Sequence, residues 1–509
     1  MDTVVKKPKK GFFGFVERAG NALPHPALLF GLFALITLVI SGIGGWLGWS
    51  GVHPATGAKV EVVNLLSRDG LHRILLEMVD NYTGFAPLGI VMVALLGIGV
   101  AESSGLIRTA INALLVKAPP KTITFMVVFT GILSNIASDL GYLLIIPLAG
   151  VIFHSLGRHP IAGMSAAFAG VSGGFSANIL IGTIDPLLAG LSTEAAHILD
   201  MSYYVMPTAN YYFMAVSTLV ITITATFVTS KWIEPHLGKY TGNVEREEIV
   251  QPTALERKGL RRAGWLLLAW GIIFAVGLIP ENGILRGTDG TVLHSPLLRG
   301  FISVLFLVIA SVGAVYGFTV GTFKSQKDLI KGMNTSFKSL VPFLVLVFFA
   351  AQFVAWFRWS NLGLLIAING AELLRNAEIG LIPLVIIFVV FTGFMNLFMG
   401  SASAKWAILG PVFVPIFMLL GYSPELSQAV YRVGDSITNI ISPMMSFFAL
   451  IIVYYQKYDK KSGIGTIMAT MMPYSIAFFV VWTLLLIVWI ILGLPLGPEA
   501  PLYYAGVGQ

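Results

Sequence analysis

Two apolar stretches, 122–156 and 379–420, are too long for one membrane crossing, and each is interrupted near its middle by polar residues. A single span needs about 20 apolar residues. The first interruption is Ser134-Asn135-Ile-Ala-Ser138-Asp139, and the second runs from Asn396 through Gly400, Ser401, Ser403 and Lys405 to Trp406. Against lipid, such polar and irregular backbone would be costly, so both breaks are expected to line a space enclosed by protein. Each stretch is followed by a further interrupted segment. Residues 161–188 break at Gly170-Val-Ser172-Gly173-Gly174-Phe-Ser176-Ala-Asn178, with Thr183 and Asp185 just beyond, and residues 429–454 break at Arg432 to Asn439, with Ser442-Pro443 after it.

Composition settles the class of protein. The chain is 56% hydrophobic and only 11% charged, against roughly 25% charged in a soluble domain. It therefore reads as an all-α polytopic membrane protein. The formal charge of +7 comes from Lys and Arg that fall between apolar segments, which fits membrane loops and argues against nucleic-acid binding. No cysteine is present, so disulfides and thiolate metal sites are excluded.

Loop charge then orients the chain. Residues 1–26, with Lys6, Lys7, Lys9 and Lys10 and no small-residue cleavage site, read as a retained cytoplasmic tail. The first half, 27–233, contains the overlong stretch 122–156 between basic ends, which predicts a hairpin entering from the cytoplasm. A polar cytoplasmic linker follows at 234–262. The second half, 263–492, contains 379–420 between loops on the outer side, which predicts a hairpin entering from outside. Residues 493–509 carry no Lys or Arg and are left as an external tail. All loops agree when about nine helices span the membrane and both hairpins re-enter.

An internal repeat supports this reading. Pro147, Gly157, Pro160, Gly170 and Ser172 recur at one constant offset as Pro411, Gly421, Pro424, Gly434 and Ser436. With hairpins opening to opposite sides, the halves are expected to form an inverted repeat, as in secondary transporters whose sites lie near the midplane on discontinuous helices.

Hairpin tips supply hydroxyls, amides and freed carbonyls, which suit a hard cation such as Na⁺ by analogy with other hard ions. Ser134, Asn135, Ser138, Asp139, Asn178, Asp185 and Asp435 are the cation-coupling candidates, with no other metal or cofactor expected. Half-helix N-termini, Arg432 and Lys405 would favour an anionic substrate. Quieter readings stand beside these. Arg432 and Asp435 have the spacing of a helix ion pair, Asp185 could cap a helix, and Asp139 and Lys405 could pair locally or snorkel. Trp406 could stack on a substrate ring or serve as an interfacial or packing residue. The serines and asparagines could bond neighbouring helices.

The chain resembles the p-aminobenzoyl-glutamate transporter (AbgT) family over almost its whole length. The resemblance rests on Asn21-Ala-Leu-Pro-His-Pro26, Gly84-Phe-Ala-Pro-Leu-Gly89, Gly157-Arg-His-Pro160, Leu191-Ser-Thr-Glu-Ala195 and Asn210-Tyr-Tyr-Phe-Met214. It continues through Gly400-Ser-Ala-Ser403 with Trp406 and through Phe413-Val-Pro-Ile-Phe-Met-Leu-Leu-Gly421. It implies a homodimer, nine spans and two hairpins per protomer, and an elevator-like core. It also implies cation-coupled movement of p-aminobenzoyl-glutamate, or export of sulfonamide-type drugs, across the bacterial inner membrane. Matching residue by residue, it points to Asp185, Asn396, Ser403, Trp406, Pro411, Arg432, Asp435 and Asn439 as substrate-binding, to which the tip residue Ser401 is added. An ion channel and an intramembrane hydrolase are the readings of other classes. No His-Glu-x-x-His or Gly-x-Ser-x-Gly motif supports an enzyme.

Overall fold

The computed structural model describes residues 24–52, 57–116, 118–136, 141–245, 251–292 and 295–506. Ser138 and Asp139, both expected at the first tip, lie outside them. Among the described residues, eight helices are long and apolar enough to cross a membrane.

One group of these helices packs together: Pro26–Leu47, Ala86–Ser104, Ala254–Leu278, Phe301–Val320 and Gln326–Trp359. Their starts are set by local chemistry. Thr253 and Glu256 form a capping box before Ala254, and Asp328 accepts from Ser325 N–H at 2.9 Å at the start of Gln326–Trp359. The 34-residue helix Gln326–Trp359 extends about 50 Å at 1.5 Å per residue. Trp265, Leu268, Ile272, Ile273 and Val276 of Ala254–Leu278 are exposed, an apolar face that needs lipid or another protein surface to cover it.

The second group carries the interrupted segments, and its eight helices are labelled here α1 to α8. They are α1 (Ile123–Leu133), α2 (Ile146–Ser155), α3 (Pro160–Phe168), α4 (Ile184–Ala196), α5 (Leu381–Asn396), α6 (Ala402–Leu419), α7 (Pro424–Asn439) and α8 (Phe448–Tyr458). With 11 and 10 residues, α1 and α2 each reach only about 16 Å, half the hydrocarbon thickness of about 30 Å. Helices Tyr211–Val228 and Ile464–Ile491 pack on each other beside this group.

The repeat is visible in atoms as well as letters. Gly157 and Gly421 both take left-handed φ, 74° and 87°, and close matching helix ends. Arg158 N–H donates to Phe153 O, as Tyr422 N–H does to Phe417 O, the bonding of a Schellman cap. Pro160 and Pro424 both open their helices. A Cβ on Gly170 would lie 2.4 Å from Val128 O, and one on Gly434 would lie 1.8 Å from Thr392 Oγ1; Val128 and Thr392 share the offset of the glycines. In both halves the absent side chain lets the helix before the break press against the first arm of the hairpin.

Several elements differ from the expectation. The second broken segment does not break at Arg432: α7 runs unbroken to Asn439, and irregular chain begins at Ile440. Gly434, which reads as a breaker, serves a close helix contact instead. Helix Ala254–Leu278 starts inside the stretch assigned to the linker, and Leu362–Asn376 is a helix the apolar pattern did not separate. A short antiparallel pair, β1 (Ser50–Val52) and β2 (Lys59–Glu61), occupies the first outer loop. The end of the chain also folds back. Leu496 O accepts from the N–H groups of Tyr212 and Phe213, and Leu502 O accepts from Ser423 N–H.

Candidate functional site

Both breaks of each half meet around one cavity of about 220 Å³. Asn135 and Tyr142 come from the first tip, Phe175, Thr183 and Ile184 from the first broken segment, Gly400 from the second tip, and Met445, Ser446 and Phe447 from the second broken segment. Tyr142 and Phe447 stack across it with centroids 4.5 Å apart and planes 12° apart. Small-molecule pockets usually measure about 300–1,000 Å³, so this space is smaller than most. Neither aromatic residue was found from sequence, because each is an ordinary apolar letter beside its break.

Repeat-equivalent contacts close the two tips. Asn178 Nδ2 donates to Ile132 O at 3.3 Å, and Ser442 Oγ donates to Asn396 O at 3.0 Å. In each case a side chain beyond the broken helix holds a carbonyl at the end of the hairpin's first arm. Asn439 Nδ2 donates to Ser172 O at 3.3 Å, tying one half to the other.

Two ion pairs lie in this interior. Asp185, at the start of α4, accepts from Gly182 N–H at 2.7 Å through Oδ2, and its Oδ1 is 2.7 Å from Arg432 Nη2. The pair is ionic by distance but poorly aligned as a hydrogen bond, and Arg432 Nε has no hydrogen-bond partner. The second pair joins Lys405 of α6 to Asp435 of α7. Lys405 Nζ also donates to Asn396 Oδ1 at 2.5 Å. Asn396 Nδ2 in turn faces Asp435 O at 2.7 Å and Asn439 Oδ1 at 2.8 Å. All four charged side chains are buried, where an unpaired charge would be prohibitive. Lys405 therefore pairs with a neighbour on the adjoining helix, and Arg432 pairs with Asp185 in place of the expected i, i+3 partner Asp435.

Trp406 takes the packing role among the readings open to it. It is fully buried, donates through Nε1 to Ser192 Oγ at 2.9 Å, and stacks on Tyr431 with centroids 4.5 Å apart. Neither an interfacial position nor a ring open to substrate fits, because both the edge and a face of the indole are taken. Its bond continues through Ser192 to Gln428 at 2.6 Å, Gln428 to Asn210 at 2.8 Å, and Asn210 to Glu425 O at 3.0 Å. Pro411 is buried inside α6. Ser401 caps α6 by accepting from Ala404 N–H at 3.3 Å, with Ser403 beside it.

Several buried oxygens in or beside the breaks have no partner: Asn135 Oδ1, Ser172 Oγ, Ser176 Oγ, and Ser436 Oγ near the end of α7. Leaving such a group unsatisfied costs about 1–3 kcal/mol. Ser172 and Ser436 are repeat equivalents, so an unpaired buried hydroxyl stands at the same position in both halves. Ser134 instead donates to Gly131 O at 2.6 Å within its own helix end.

Known proteins share this architecture. The chain is 39% identical, over 98% of both chains, to the p-aminobenzoyl-glutamate transport protein of Escherichia coli (strain K12). Its fold is similar to the Alcanivorax borkumensis YdaH transporter, with TM-score 0.90, 44% identity, and 93% of this chain and 100% of that one covered. It is also similar to Neisseria gonorrhoeae MtrF, described with a class of antimetabolite efflux pumps, with TM-score 0.91, 48% identity, and 96% and 100% covered. These similarities point to a multi-pass membrane transporter and not to an enzyme. The AbgT transporter family model matches residues 11–504, and the chain belongs to that family.

Proposed function

We propose that this chain is a cation-coupled secondary transporter that moves an anionic aromatic amino-acid conjugate of the p-aminobenzoyl-glutamate type across a bacterial inner membrane. The observation that carries the reading is Arg432, buried at the meeting of the two halves with Nε unpartnered. A carboxylate is the natural acceptor for a buried guanidinium donor. Tyr142 and Phe447 supply aromatic surface at the cavity, suited to an aminobenzoyl ring.

In this reading Asp185, Asn396, Ser401, Ser403, Arg432, Asp435 and Asn439 form or brace the substrate site, with Trp406 and Pro411 shaping α6 behind it. Ser134, Asn135, Ser138, Asp139, Asn178, Asp185 and Asp435 remain the coupling candidates, and the unpartnered oxygens of Asn135 at the first tip and of Ser172 and Ser176 in the first broken segment support ion binding in the first half. Both hairpins re-enter the membrane, the N-terminus faces the cytoplasm and the C-terminus faces outward. The helix group with α1 to α8 moves against the other group, and two copies meet through exposed apolar helix surface. Similarity to MtrF favours drug efflux as a second reading. Uptake of labelled p-aminobenzoyl-glutamate into proteoliposomes under separately imposed H⁺ and Na⁺ gradients tests the proposal. Stimulation by either supports it, and uptake indifferent to both rejects coupling.

A further inference from the structure

The fold does not require a charge at the position of Lys405. Its repeat counterpart in the first half is Gly141, and the counterpart of Asp435 is Val171. Gly141 and Val171 also adjoin each other, since a Cβ on Gly141 would lie 2.6 Å from Val171 Cγ1. The same crossing of hairpin arm and broken helix is therefore built once from apolar groups and once from a buried ion pair. Because a buried pair is no better for stability than a well-packed apolar contact, the charged version calls for a role other than folding.

The geometry around Lys405 describes that role. Its Nζ sits among oxygens of the kind a monovalent cation selects, the Asn396 amide oxygen at 2.5 Å and the Asp435 carboxylate. The titratable or charged groups facing it are Asp435 and Tyr431, whose ring centroid is 5.9 Å from Nζ. Arg432, beside Tyr431 on α7, is engaged with Asp185. Tyr431 holds its hydroxyl against Ala402 O at 2.5 Å.

We propose that Lys405 is a resident cation: its ammonium fills the oxygen site of Asn396 and Asp435, so that this tip takes no Na⁺ and exchanges a proton instead. The ammonium and carboxylate together are neutral. Loss of one proton to solvent on one side leaves an amine beside a carboxylate, with net charge −1, and gain of a proton from the other side restores neutrality. The inference rests on the coupled-transport reading for its place in the cycle, but its ion site can be tested without substrate.

The experiment measures saturable binding of radioactive sodium to purified full-length protein, for wild type, Asp435→Asn, Lys405→Ala and Lys405→Arg, with uptake against pH measured in proteoliposomes. Lys405→Ala should bind one more sodium ion than wild type and lose the wild-type pH dependence of uptake, and Lys405→Arg should bind no more sodium than wild type. Sodium binding by wild type that Asp435→Asn abolishes would overturn the proposal. So would a folded Lys405→Ala protein with wild-type sodium binding and pH profile. If Lys405→Ala does not fold, the comparison of wild type with Asp435→Asn decides alone. Absence of any wild-type uptake would count against the transport function and leave the sodium comparison standing.

Discussion

Arg432 Nη2 lies 2.7 Å from Asp185 Oδ1, joining a helix of the second half to the start of a helix in the first. Both side chains are buried, so removing one strands the other. Arg432→Ala should destabilise the protein by about 3–5 kcal/mol. The double variant Arg432→Gln with Asp185→Asn should recover part of that loss, because neither residue then carries an uncompensated charge. Thermal melts of the detergent-solubilised proteins check both expectations.

The repeat glycines give a second test. Gly434→Ala places a methyl group 1.8 Å from Thr392 Oγ1 and 2.5 Å from Val389 O, and Gly170→Ala places one 2.4 Å from Val128 O. Both should cost at least about 1–3 kcal/mol through overpacking. Gly264→Ala, with nothing within 4 Å and a helix on both sides, should be neutral or stabilising by up to about 1 kcal/mol. Melting temperature and yield of folded protein separate the two groups.

Trp406→Phe keeps an aromatic ring against Tyr431 but removes the donor to Ser192. The buried hydroxyl chain should lose about 1–3 kcal/mol, seen as a lower melting temperature. Because the indole is enclosed, the variant is expected to bind substrate with little change in affinity once folded, measured at a temperature well below its melt.

The folded-back end of the chain should respond to pH through Asp200. Its carboxylate accepts from Ser202 and, at 2.9 Å, from Tyr504 OH. Chiefly through the Ser202 hydroxyl, these bonds hold it below the ordinary value of 3.8. A carboxyl depressed on folding contributes stability above its unfolded value, lost as pH falls through the folded one. Protection from hydrogen exchange over residues 496–504, taken relative to the intrinsic rate at each pH, should therefore stay high at neutral pH and fall only below about 3.8. Asp200→Asn should speed exchange already at neutral pH.

The parts of the site legible in sequence were those where a polar residue interrupts an apolar run. Asn396, Lys405 and Asp435 stand out because an isolated amide or charge in such a run needs a protein partner. Gly157 and Gly421 were legible only as members of the repeat, and their role as left-handed helix caps appears in the structure. What sequence could not supply was the pairing of distant residues. Nothing in the letters tells whether Arg432 meets Asp435 on its own helix or Asp185 in the other half, and spacing alone favours the former. Nor does a glycine announce its purpose, so Gly434 read as a breaker although it permits a close helix contact. Tyr142 and Phe447 stayed hidden because an aromatic beside a break looks like any other core residue.

Transport through this site is tested most directly by saturable uptake of labelled p-aminobenzoyl-glutamate into proteoliposomes bearing equal amounts of folded wild type or Arg432→Gln protein, under an imposed ion gradient. The wild type is expected to accumulate substrate and the variant to lose nearly all of that uptake. Full uptake by Arg432→Gln would contradict the placement of the substrate at the meeting of the two halves.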